Sequence, residues 1–135
     1  MTTLELAGGK SRDRLTALGL GLAALFLRTW KLGSPKGFVF DEVYYAQNAN
    51  SLLHHGVELD PKTGAAQFIV HPPVGKWIIA LGIKVFGYHE FGWRISAALV
   101  GTASIVMIFY IARRLFNNYF LSFSAGILML SLIHI

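Results

Sequence analysis

Apolar stretches set the plan of this chain. One runs unbroken over residues 15–27 and, carried through Trp30 to residue 32, reaches 18 residues; a second fills 93–112, 20 residues with only Arg94 and small polar side chains inside it. A third starts at Tyr119 and continues to the last residue. A membrane-crossing helix needs roughly 20 predominantly apolar residues, so the pattern predicts spans at 15–32, 93–112 and 119–135. The third is truncated, which is the expectation for a fragment. A shorter run, 74–86, carries Val74, Trp77, Ile78, Leu81 and Val85 at helical spacing but has only 13 residues. A helix is also predicted near 41–54, with Val43, Ala46, Asn50 and Leu53 along one side.

Charge decides what the short run does. Lys10, Arg12 and Arg14 precede the first span, and Arg113 and Arg114 follow the second. The positive-inside rule places both groups in the cytoplasm, which requires an even number of crossings between them. Residues 15–32 and 93–112 supply two. A spanning 74–86 would put the Arg pair outside, so that helix is expected to lie on the external surface with its apolar face down. The resulting plan is an all-α membrane protein of about three spans: residues 1–14 cytoplasmic, an external loop over 33–92 with interfacial helices near 41–54 and 74–86, and a cytoplasmic turn at 113–118. The first span lacks a small-x-small cleavage pattern and reads as an uncleaved anchor. Gln67 and the residues to 70 form a short extended piece in this reading.

Composition agrees and excludes alternatives. A chain of 135 residues with 54% hydrophobic and 14% charged residues is too apolar for an ordinary soluble domain. Its net charge of +5 is scattered around apolar runs and forms no stripe with interleaved aromatics, so no nucleic-acid partner is expected. The chain has no cysteine, which removes disulfides and thiolate metal sites. No metal site and no cofactor are assigned.

The candidate chemistry lies in the loop. Asp41 and Glu42 stand side by side next to a membrane span, where charge is costly and commonly functional. The alternative is that Asp41 caps a helix and Glu42 sits in its first turn. His71-Pro72-Pro73 holds a histidine at an extended corner, since each proline turns the preceding residue away from helix. Lys76 and Arg94 fall at interfacial positions, able to meet an anion or to snorkel. Arg28, at the end of the first span, is read as a snorkelling boundary residue.

Taken together, Phe40-Asp41-Glu42-x-Tyr44-Tyr45, His71-Pro72-Pro73-Val74-Gly75-Lys76, Phe91-Gly92-Trp93-Arg94 and Ala112-Arg113-Arg114-Leu115-Phe116 resemble the polyprenyl-phosphate-mannose-dependent protein O-mannosyltransferases, membrane enzymes of the GT-C class. The resemblance extends from about residue 15 to 129 and covers only the N-terminal part of those many-span enzymes; Ser131-Leu132-Ile133-His134-Ile135 departs from their pattern, where an acidic residue is expected. It implies transfer of mannose from a lipid-linked phosphate donor to a Ser or Thr hydroxyl of a secreted or membrane protein, with inversion, at the outer face of the plasma membrane. Asp41 matches the family's catalytic aspartate. Glu42 joins it as a catalytic-site residue in a supporting role, and Arg94 matches a functionally important arginine. His71, Lys76 and Arg94 are the substrate-binding candidates, His71 either orienting the acceptor or only holding the corner. The partners implied are the bilayer, the polyprenyl-phosphate sugar donor and the protein acceptor, and the piece by itself is expected to be inactive. Two alternatives are a related GT-C enzyme that glycosylates lipid A or a cell-wall glycan, and a non-enzymatic membrane subunit.

Overall fold

The computed structural model describes residues 3–67 and 71–132. Among them the regular structure is helical: α1 (Thr3–Thr29), α2 (Glu42–His55), α3 (Pro73–Phe86), α4 (Glu90–Phe116) and α5 (Tyr119–Ser131). One isolated antiparallel bridge joins Leu59 to Ala66. The all-α expectation holds, and α2 and α3 fall close to the helices read from the sequence.

The helices that were to cross the membrane differ in their ends. Among the described residues, α4 alone is long and apolar enough to span by length and composition. The first expected span shifts: α1 stops at Thr29, and Lys31 turns left-handed with φ 57°. A helix of L-residues does not continue through such a position, so residues 30–32 do not extend it. The apolar part of α1 therefore falls short of the roughly 20 residues a perpendicular crossing takes. In α5, 13 residues are helical, and residues 133–135 of the third expected span lie outside the described residues. So do residues 1–2 and most of the extended piece expected at 67–70.

Two compact units divide the chain, Met1–Trp30 with Leu99–Ile135, and Lys31–Ala98. In the first, Ala17, Leu20 and Ala24 repeat along one face of α1 and pack with Ile105 and Phe109 of α4, flanked by Met129 and Leu130 of α5. Small residues permit that approach: a Cβ at Gly126 would come within 2.7 Å of Leu20 Cδ1. Polar contacts fasten one end of the unit. Arg113 Nε donates to Asp13 Oδ2 at 2.9 Å, the hydroxyls of Thr16 and Tyr119 are 2.9 Å apart, and the Arg12 guanidinium lies 4.2 Å from the Tyr119 ring centroid. Arg28 packs against α4, where Gly101 leaves room for its guanidinium. The outer faces carry exposed Leu18, Leu22, Met107, Ile111, Phe120 and Leu128. A surface so apolar needs lipid or further protein against it.

The second unit is built on the α2–α3 hairpin. Gly56 closes α2 in the left-handed conformation at φ 72°, which costs a glycine little. Ala46 and Ala49 of α2 meet Ala80 and Ile83 of α3 and Trp93 of α4, with Leu53 and Ile79 packed alongside. The inward face of α2 is therefore 46, 49 and 53, while Val43 and Asn50 are half-buried. On α3 the usual order is reversed. Trp77, Leu81 and Val85 are about 60% exposed, whereas Lys76 is 2% exposed. Water would drive the opposite arrangement, so the outward apolar stripe is suited to a non-aqueous neighbour.

Candidate functional site

The loop between α1 and α2 brings two carboxylates to the start of α2 and treats them differently. Asp41 is the N-cap residue, but its φ of −70° and ψ of −7° are already helical and its side chain makes no capping hydrogen bond. Its backbone carbonyl accepts from the amides of Tyr44 and Tyr45, at 3.0 and 3.1 Å. The carboxylate is exposed. The capping alternative for Asp41 thus fails at the side chain, and the group is open to solvent. Directly before it, Phe40 has φ 50° and is 89% exposed. A bulky residue in the left-handed region is an uncommon strain, and it sets the direction in which the chain enters α2.

Glu42 is fully engaged. Arg94 Nε donates to Oε1 at 2.7 Å, Arg94 Nη2 to Oε2 at 2.8 Å, and the Val39 amide to Oε2 at 3.0 Å. Burial by itself would raise the pKa of this carboxyl. The hydrogen bonds from Arg94 and Val39 outweigh it and hold the group below the usual glutamate range. A carboxylate so bound is a poor base.

Arg94 does more than pair with Glu42. Nη1 donates to the carbonyls of Leu32 and Pro35, both at 3.0 Å, and Nη2 to that of Gly37 at 3.1 Å. One turn earlier on α4, Glu90 Oε1 accepts from the Gly37 amide at 2.8 Å. A guanidinium has five N–H donors, and all five of Arg94's are occupied within the chain. In this arrangement Arg94 fastens the loop that carries Asp41.

Lys76 is buried with its Nζ 2.6 Å from Glu58 Oε2, and Asn48 Nδ2 donates to the same oxygen at 2.9 Å. An ammonium held this way is not free to reach a lipid headgroup. His71 is different. It is exposed at the start of the corner, and its ring lies 5.3 Å from that of Tyr45. Because Tyr45 sits one turn after Asp41 on α2, the structure links the histidine corner to the aspartate end of that helix.

Of the five residues singled out, Asp41 and His71 remain available to an outside molecule, while Glu42, Lys76 and Arg94 hold the scaffold. Sequence reasoning missed Asn48, Glu58 and Glu90, whose partners lie 10 to 53 positions away. No local pattern marks such pairs, although an acid near a lysine that cannot snorkel would have been a clue. Among the described residues no group of three or more metal-type side chains forms.

The family model described as dolichyl-phosphate-mannose-protein mannosyltransferase matches residues 70–135. A polyprenol-phosphate-mannose–protein mannosyltransferase of Mycolicibacterium smegmatis is 40% identical over 121 residues, covering 87% of this chain and 23% of that protein. One of the same name from Corynebacterium glutamicum is 42% identical over 106 residues, 73% of this chain and 19% of the relative. An undecaprenyl phosphate-alpha-4-amino-4-deoxy-L-arabinose arabinosyl transferase of Pseudomonas savastanoi pv. phaseolicola is 34% identical over 117 residues, 84% and 22%. The chain thus spans about a fifth of the length of these curated relatives. No solved structure matches.

Proposed function

We propose that this chain is the N-terminal part of a membrane enzyme transferring mannose from a polyprenyl-phosphate donor to Ser or Thr hydroxyls of proteins, a reading supported by the match of residues 70–135 to the dolichyl-phosphate-mannose-protein mannosyltransferase model and by the 40–42% identity to polyprenol-phosphate-mannose–protein mannosyltransferases. Asp41 is the base. As the hydroxyl oxygen attacks the anomeric carbon, Asp41 takes its proton, and the bond from that carbon to the phosphate oxygen breaks on the opposite side. The configuration inverts, and the polyprenyl phosphate departs as an anion that needs no proton from an acid. The observation that carries this reading is the division of labour at the start of α2: Glu42 is consumed by Arg94, and the neighbouring Asp41 carboxylate is exposed and uncapped. In this reading His71 is the substrate-binding residue of the loop, exposed and with its ring tilted against that of Tyr45.

The protein is read as a multi-pass protein of the plasma membrane, its N-terminus cytoplasmic and its loop external, with the apolar stripe of α3 resting on the outer leaflet. Single cysteines at Asp60 and Lys84, labelled with a reagent that cannot cross the bilayer, test the loop's sidedness. Labelling of only one would refute it.

The decisive experiment places Asp41→Asn in the full-length protein and follows mannose transfer from the lipid donor to an acceptor peptide. General-base catalysis contributes roughly 10²- to 10⁴-fold, and a loss of that size is expected; unchanged turnover rejects the assignment. The likeness to an arabinosyl transferase supports a second reading, in which the same lipid-linked chemistry serves a glycolipid or glycan acceptor. Offering peptide and glycolipid acceptors to the wild-type enzyme separates the two.

A further inference from the structure

The mechanism leaves unused the most deeply buried charges in the second unit. Glu58 is 4% exposed and Lys76 2%. Oε2 of Glu58 receives both Lys76 and Asn48, and Oε1 is buried without a partner among the described residues. The backbone around Glu58 is clipped to α2 on both sides: Ser51 Oγ donates to the Val57 carbonyl at 2.8 Å and accepts from the Leu59 amide at 3.0 Å. An ion pair buried to this degree is seldom the most stabilising choice, because two apolar side chains of similar size would avoid its desolvation. What it supplies is direction, since charge and hydrogen-bond geometry are satisfied in one register only.

The register at stake is that of α3 on α2. Beside Ile83 and Trp93, the buried contact there is made by small side chains, Ala46 and Ala49 against Ala80, which set little register of their own. Asn48 lies one turn beyond Tyr45 on α2, and Lys76 is in the first turn of α3, directly after the corner that begins at His71. We propose that Glu58 is a positioning residue: by gripping Lys76 and Asn48 together it fixes the first turn of α3 against α2 and so keeps the His71 ring in contact with that of Tyr45, beside the Asp41 end of the helix. Its catalytic consequence rests on the function proposed above; its geometric consequence does not.

Two spin labels measure the geometry, one at Tyr44→Cys on α2 and one at Val74→Cys on α3, both exposed positions. In the full-length protein the distance distribution is expected to be narrow, and to broaden with Glu58→Gln or Lys76→Met. Misplacement of groups near the chemistry can cost roughly 10- to 100-fold in rate. Without the labels, kcat for mannose transfer should fall by that order in each single variant, while KM for the lipid donor stays within about twofold. The double variant Glu58→Leu with Lys76→Met removes both charges and keeps the fold measurable. It should unfold at or above the wild-type temperature yet retain the broad distribution and low kcat. A double variant that regains a narrow distribution and full kcat would overturn the proposal. So would Lys76→Met with a narrow distribution and a raised donor KM, the signature of a phosphate contact. If Asp41→Asn keeps full turnover while Glu58→Gln still broadens the distances, the base assignment falls and the register role stands.

Discussion

Replacing Arg94 by lysine keeps the charge and removes the fork. The guanidinium makes two hydrogen bonds to Glu42, at 2.7 and 2.8 Å, and three to the carbonyls of Leu32, Pro35 and Gly37, at 3.0 to 3.1 Å. An ammonium has three donors radiating from one atom. It can keep Glu42 and reach one carbonyl, so two of the carbonyl bonds are lost. At a net value of about 1 kcal/mol each, Arg94→Lys should loosen the loop by about 2 kcal/mol. Because the staple holds a segment, the assay is amide hydrogen exchange on the full-length protein, read at Gly37 and Val39, whose N–H groups bond to Glu90 and Glu42. With 1.36 kcal/mol per factor of ten, protection there should fall roughly 30-fold. Glu42 supplies a pH test. Its folded pKa is depressed, so its contribution is fully present above the unfolded value of about 4.3 and is lost as pH falls through the folded value. In the wild type, protection at Val39, whose amide bonds to Glu42, should therefore fall in that acid window, and Glu42→Gln should remove that part of the pH dependence. Unchanged exchange in Arg94→Lys, with only the donor KM raised, would show that the guanidinium serves a phosphate and refute the staple.

Other outcomes follow from local geometry. Asp41→Asn should leave exchange protection of the first turn of α2 unchanged, since the carboxylate makes no capping bond; increased exchange there would mean that Asp41 is structural. At Gly92 a Cβ would collide with the backbone carbonyl of Gly87, so Gly92→Ala should cost about 1 to 3 kcal/mol, the range for overpacking, measured by thermal unfolding. Asn118 Oδ1 accepts from the Leu121 amide at 3.2 Å. Its loss in Asn118→Ala should cost about 1 kcal/mol and speed exchange at Leu121 roughly fivefold.

What the sequence determined by itself follows from period and punctuation. The 3.6-residue spacing of apolar side chains located α2 and α3, and the proline corner marked where α3 starts, because both signals act over neighbouring residues. Order and spacing of short motifs brought out the resemblance and five candidate residues, Asp41, Glu42, His71, Lys76 and Arg94. Tertiary structure decided which charges are free. Asp41 and Glu42 are chemically alike and adjacent, yet only Glu42 meets Arg94, 52 positions away. Lys76 reads as an interfacial cation until Glu58, 18 positions earlier, is folded against it. The end of α1 likewise turned on a backbone angle at Lys31 that hydropathy does not register. A hydrophobic pattern records the side of an element on which a residue lies. Whether a charge is spent or available depends on its partner, and chain topology alone brings partners so far apart in sequence within reach.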